Sequence, residues 1–187
     1  MSSMDPTASA TPAPPPRKPG EFFLKTAPLP GTTGGRVSDL YLRQNSTANP
    51  AVLLTQGPPK FLRASVVDTE TGTGVDFTSW APQHAGRKWG LRLSNGDHDG
   101  TTMAGWERVE IAENKGDRNV RFTHVGSEGT TDGVLGGDEL IGGDGWASWM
   151  VCEWSLGYPQ LFWITEQLRD GKLPYFCERV RLVKELL

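Results

Sequence analysis

Apolar and polar residues alternate in short runs along most of this chain, and an alternation of period two predicts β-strands. Trp89-Gly90-Leu91-Arg92-Leu93 is a clear case, because its three large apolar residues fall on one face. No segment keeps a helical apolar period over three turns. Outside one hairpin, the alternation predicts strands over residues 21–26, 37–43, 51–54, 61–68, 89–93, 106–112, 119–125 and 176–183.

The most distinctive run extends from Trp146 to Ile164, where two aromatic segments flank Ser155-Leu156-Gly157-Tyr158-Pro159. Glycine and proline between β-favouring residues predict a β-hairpin with a five-residue loop. Alternation along the first strand would place Trp149 and Glu153 on one face, with Trp146 and Trp154 on the other. Tryptophan therefore falls on both faces of this strand.

Turns rich in glycine separate the runs, among them Thr69–Gly74 and a Gly/Asp-rich loop from Gly126 to Gly145. About ten short strands with this spacing predict an all-β fold, a single-domain antiparallel barrel or sandwich. Residues 1–20 consist mainly of Pro, Ala, Ser and Thr, a composition that predicts a disordered tail. The folded domain is then predicted to span residues 21–187.

The 187 residues are enough for one domain with a hydrophobic core, and the net charge is −3. This balance argues against nucleic acid or an anionic membrane as a partner. No run approaches the ~20 apolar residues of a membrane span. The N-terminal residues do not show the basic start and apolar run of a secretory signal, which predicts an intracellular, cytoplasmic protein. In a reducing compartment Cys152 and Cys177 are expected to be free thiols, whereas an oxidising compartment would permit a disulfide.

Familiar catalytic and cofactor motifs are not found in the sequence. There is no Gly-x-Ser-x-Gly, no Ser-x-x-Lys and no phosphate-binding glycine loop. His84, His98 and His124 are far apart, and none has a His or Cys partner at metal-ligand spacing. The sequence therefore predicts no cofactor and no metal site.

Aromatic residues are the main sign of a binding surface, since the chain has seven tryptophans. Trp149 beside Glu153 would form an exposed platform for a sugar or a flat hydrophobic molecule if that face is wet. The alternative is that tryptophans from several strands fill one core. The ligand-binding candidates are Trp89, Trp106, Trp149, Trp154, Tyr158 and Trp163.

Several of these segments resemble a family of small proteins of unknown function from filamentous fungi, many of them secreted and glycosylated. The resemblance is carried by Phe-Phe-Leu-Lys-Thr at 22–26, Asp-Leu-Tyr-Leu at 39–42, Trp-Glu-Arg-Val-Glu-Ile at 106–111 and above all the hairpin segment 149–163. It implies a compact β domain and supplies no catalytic residues. Secreted members carry cysteines that match Cys152 and Cys177, which implies that these two residues lie close in space.

Three functions remain open from the sequence. The first is a non-catalytic β-barrel that binds a small apolar molecule or a carbohydrate. The second is a small barrel enzyme of the isomerase or cyclase type, as in fungal secondary metabolism, with Glu107, His124 and Glu178 as acid–base candidates because each is in line with a core face. The third is an interaction module that uses the Pro-rich tail or the Gly/Asp-rich loop. The sequence does not decide the oligomeric state.

Overall fold

Twelve β-strands account for most of the residues that the structure describes. The structure is a computed structural model, and it describes residues 15–32, 35–46, 51–59, 62–69, 72–79, 84, 87–93, 105–113, 120–124, 138–143, 145–153 and 158–187. In chain order the strands are β1 (Phe22–Ala27), β2 (Tyr41–Gln44), β3 (Val52–Thr55), β4 (Leu62–Thr69), β5 (Gly72–Ser79), β6 (Lys88–Leu93), β7 (Trp106–Glu113), β8 (Arg121–His124), β9 (Asp138–Ile141), β10 (Trp146–Glu153), β11 (Pro159–Thr165) and β12 (Cys177–Leu186).

Eight of these strands close into an antiparallel barrel. The ring runs β1-β4-β5-β6-β7-β11-β10-β12, and β12 pairs back onto β1. The prediction of an all-β barrel or sandwich is therefore confirmed, and the architecture is a barrel. In the described residues the helical structure is limited to the 3-10 turn Glu166–Leu168 and to His84, which also has 3-10 conformation. No helix in this part of the chain is long and apolar enough to span a membrane.

The other four strands extend the barrel at two places. The β2–β3 hairpin pairs with β1 through Tyr41 and with β11 through Leu53, so it bridges two strands of the ring. Strand β9 pairs with β12 at Leu182 and Val183, beyond the point where β10 ends its own pairing with β12, and β8 adds to the outer edge of β9.

Three strand predictions need correction. The second strand is shorter than predicted and begins at Tyr41, because residues 36–39 form a turn in which Asp39 has a φ of 59°. Strand β5 begins in the glycine-rich segment that was predicted as a turn, since Gly72 and Thr73 already pair with β4. Strand β9 lies inside the predicted Gly/Asp-rich loop. For β5 and β9, backbone pairing to a neighbouring strand overrides a weak local β-propensity.

Two apolar clusters lie on opposite sides of the barrel wall. The inner cluster takes the inward side chains of the ring, and Leu91, Val109, Trp149 and Leu161 are at its centre with no exposed surface. The outer cluster takes the outward side chains of β10 and β11, and the segment between β11 and β12 covers it. Its members are Met150, Cys152, Ile164 and Cys177, with Trp106, Ala147, Phe162, Leu168, Leu173 and Phe176 packed around them.

Candidate functional site

Two carboxylates meet one guanidinium at an end of the barrel. Glu153 ends β10 in line with inward Trp149 and Val151, and Glu178 lies opposite Val151 on β12. Arg36 Nη1 is 2.9 Å from Glu153 Oε2, and Arg36 Nε is 3.7 Å from Glu178 Oε1. Both glutamates are half-buried, whereas Arg36 is largely exposed. The network thus faces solvent at the rim, directly above the apolar core.

The turn before β2 positions Arg36. Thr26 at the end of β1 is fully buried, and its Oγ1 donates to Val37 O at 2.6 Å. The Asp39 N–H donates to Thr26 O at 2.9 Å, so the turn is held to β1 at two points. A Cβ on Gly35 would lie 2.0 Å from Glu178 Oε2, so the carboxylate rests against the backbone and would have to shift if a larger residue replaced this glycine.

A disulfide between Cys152 and Cys177 ties together the strands that carry the two carboxylates. The cysteines face each other across β10 and β12, and each one directly precedes a glutamate of the network. Of the two states that the sequence left open, the structure has the disulfide, and the two cysteines lie close in space as the family resemblance implies. Disulfides are typical of oxidising compartments, while the intracellular location inferred from the N-terminal sequence stays a prediction.

Two exposed tyrosines are the sequence neighbours of the residues that pair with the Glu153 backbone. Tyr158 is 55% exposed and directly precedes Pro159, the cross-strand partner of Glu153 on β11. Tyr175 is 94% exposed and directly precedes Phe176, whose carbonyl accepts the Glu153 N–H at 2.9 Å. Both rings are held by a neighbour, since Arg43 lies 5.1 Å from the centre of the Tyr158 ring and Phe176 packs edge-on against Tyr175.

The predicted tryptophan platform is wrong. Trp149 has no exposed surface, and its indole N–H donates to Leu140 O at 2.6 Å. Trp89 and Trp163 also lie in the inner cluster, whereas Trp106 stacks on Phe162 in the outer cluster. The described tryptophan candidates are thus spread over both sides of the wall and do not form one surface.

The acid–base candidates are also apart. Glu107 is half-buried on β7 opposite Trp163, near the other end of the barrel from Glu178. His124 belongs to β8, but its side chain lies outside the described part, as does the whole of Trp154. Of the predicted site residues, the rim therefore gathers Glu178 and Tyr158. Within the described residues, no group of three or more His, Cys, Asp or Glu could hold a metal ion.

Two further charged groups lie away from the rim. Lys25 Nζ is 3.0 Å from Glu185 Oε2, and the Tyr41 hydroxyl donates to the same carboxylate at 2.9 Å. The hydrogen bond from Lys25 has the larger effect, and together with the bond from Tyr41 it holds the pKa of Glu185 below its usual range. Glu139 lies 4.0 Å from Arg181, and burial raises the pKa of this carboxyl despite the cation. Both groups contact neighbouring strands of the barrel, which indicates a structural role.

Family comparison gives one match, and it covers the barrel and the rim together. The family model described as "Domain of unknown function (DUF7907)" matches residues 19–186. The chain belongs to this family. The DUF7907 match agrees with the resemblance to an uncharacterised family, and it includes both cysteines, both rim carboxylates and both exposed tyrosines. Comparison with the curated proteins and with the solved structures gave no match.

Sequence reasoning missed Arg36, Glu153 and Tyr175 as site residues. Glu153 carried a usable signal, because it continues the inward alternation of Trp149 and Val151 into a loop. Arg36 and Tyr175 stand in Gly- and Pro-containing turns, where residue type alone does not indicate which barrel end they approach. Their placement depends on pairing between strands distant in sequence.

Proposed function

We propose that this β-barrel is a non-catalytic binding protein for a carbohydrate, with the ligand at the rim. The observation that carries the proposal is the exposure of Tyr158 and Tyr175, each of which precedes a residue that pairs with the Glu153 backbone. An aromatic ring with one wet face offers an apolar surface to the C–H face of a sugar ring. Carboxylate and guanidinium groups next to it offer the acceptors and donors that sugar hydroxyls need.

Carbohydrate is favoured over a small apolar molecule because of what fills the barrel. The inward side chains form one buried cluster that includes Trp89, Trp149 and Trp163. An apolar ligand at the barrel centre, where Leu91, Trp149 and Leu161 have no exposed surface, would have to displace close-packed side chains, which costs free energy. A ligand at the rim needs only to displace water from Tyr158 and Tyr175.

A binding role is favoured over the isomerase or cyclase alternative by the charges at the rim. An acid–base catalyst needs a carboxyl that is available to exchange a proton with the substrate. Both Glu153 and Glu178 are within 4 Å of Arg36 nitrogens, so their charges are already engaged. Glu107, the other carboxyl candidate, lies opposite Trp163 on β7, near the other end of the barrel.

The test is a panel of soluble oligosaccharides from glucan, xylan, mannan and chitin, with affinity measured by isothermal titration calorimetry. We expect at least one to bind, and the double variant Tyr158→Ala/Tyr175→Ala to lose about 30-fold in affinity, since each aromatic contact contributes roughly 1 kcal/mol. The control is Tyr41→Phe, which changes the third tyrosine of the chain, whose hydroxyl bonds Glu185. No binding across the panel, or equal affinity in the double variant, would refute the proposal.

A further inference from the structure

Within the part of the chain that the structure describes, the indole N–H of Trp89 has no hydrogen-bond partner. Trp89 lies on β6 and is 3% exposed. An indole N–H can only donate, so burial removes its hydrogen bond to water without replacing it, at a cost of about 1–3 kcal/mol. In the same core the Trp149 N–H donates to Leu140 O, whereas the buried N–H of Trp146 also has no partner among the described residues. The Trp89 N–H is therefore a donor to which an acceptor from outside the chain can bind.

Two polar side chains stand next to this indole. Ser79 Oγ and His84 Nδ1 are 2.9 Å apart, and the His84 ring lies 5.2 Å from the centre of the Trp89 ring. Ser79 is 9% exposed and lies two residues beyond Phe77, the cross-strand partner of Trp89, so it is the diagonal neighbour of Trp89 on the inward face. His84 is half-buried, so the group reaches from the core to the surface.

We propose that Trp89, Ser79 and His84 form a second binding site, independent of the rim, for the carbonyl oxygen of a small neutral molecule. The carbonyl accepts the Trp89 N–H, and the flat part of the molecule lies against the imidazole. A neutral acceptor fits better than a carboxylate, because Glu113, the cross-strand neighbour of Trp89, already pairs with Arg87 at 3.1 Å. A buried carboxylate would have to compete with Glu113 for this guanidinium.

The indole N–H resonances of the seven tryptophans report on this site directly, and Trp89→Phe assigns the relevant peak. Cyclohexanone serves as the carbonyl probe, and methylenecyclohexane is its shape-matched control without an acceptor. We expect cyclohexanone to move the Trp89 indole proton downfield in a saturable manner while the Trp149 peak stays in place. Methylenecyclohexane should leave the Trp89 proton where it is.

The Trp89→Phe variant keeps an aromatic ring and removes the donor, so cyclohexanone should bind it about tenfold more weakly. If that variant does not fold, contacts to Phe77 in the wild-type protein assign the peak instead. N-methylacetamide serves as a second carbonyl probe. If the Trp89 indole proton does not shift with saturating cyclohexanone or with N-methylacetamide, the proposal is overturned. An equal response to methylenecyclohexane would overturn it too, because the N–H would then play no part in binding.

Discussion

Reduction of the Cys152–Cys177 disulfide should destabilise the barrel by about 3.5 kcal/mol. The two cysteines are 25 residues apart in sequence, and the loop-entropy relation gives about this value for a loop of that length. The bond also spans two strands that are already paired, so native contacts around it should persist after reduction. The loss is therefore expected mainly from the larger freedom of the unfolded chain.

The assay is urea unfolding of the full chain, with and without a phosphine reductant. With a slope of about 2 kcal/mol/M, the midpoint should fall by roughly 2 M on reduction. The variant Cys152→Ala/Cys177→Ala is the control, because its midpoint should be low and insensitive to reductant. A wild-type midpoint that does not move, with both thiols shown to be free, would contradict the reasoning.

Three electrostatic predictions can be checked by the same unfolding assay. Arg63→Ala should cost about 3–5 kcal/mol because it leaves Glu21 buried without its 3.0 Å partner, and Glu21→Gln/Arg63→Met should recover most of it. Tyr41→Phe should cost about 1 kcal/mol at pH 7, because the hydroxyl bonds a partly exposed carboxylate. This cost should shrink as pH falls through the lowered pKa of Glu185. Glu139 has a raised pKa, so its contribution to stability is lost as pH rises through that pKa, and Glu139→Gln should remove this part of the pH dependence. If the stability of Glu139→Gln depends on pH in the same way as that of the wild type, the prediction for Glu139 is contradicted.

Local alternation predicts the fold where one face of a strand is buried and the other is wet. The clean pattern of Trp89, Leu91 and Leu93 gives β6 within one residue, and the aromatic hairpin gives β10 and β11. The pattern does not identify β5, because Gly72, Thr73 and Gly74 carry no apolar signal. Their strand conformation comes from eight paired positions with β4, and such pairing is not a local property.

The face assignments of single residues were harder to predict than the strands. Trp149 and Glu153 were correctly placed on one face, but whether that face is dry cannot be read from one strand. In the barrel this face is the interior, so Trp149 is buried while Glu153 emerges at the rim. An outward side chain can also be buried. Glu110 alternates with inward Val109 and Ile111 and is 8% exposed, because Ala51 of the segment before β3 bridges to it.

The alternation of side chains along β10 and β12 also explains why the Cys152–Cys177 disulfide borders both the outer apolar cluster and the charged rim. Cys152 and Cys177 point outward into the apolar cluster, so the next residue on each strand must point inward at the barrel end. Those residues are Glu153 and Glu178, and Arg36 spans the gap between them. The disulfide therefore holds together the two backbones from which the carboxylates extend, and Arg36 joins the two side chains at the rim.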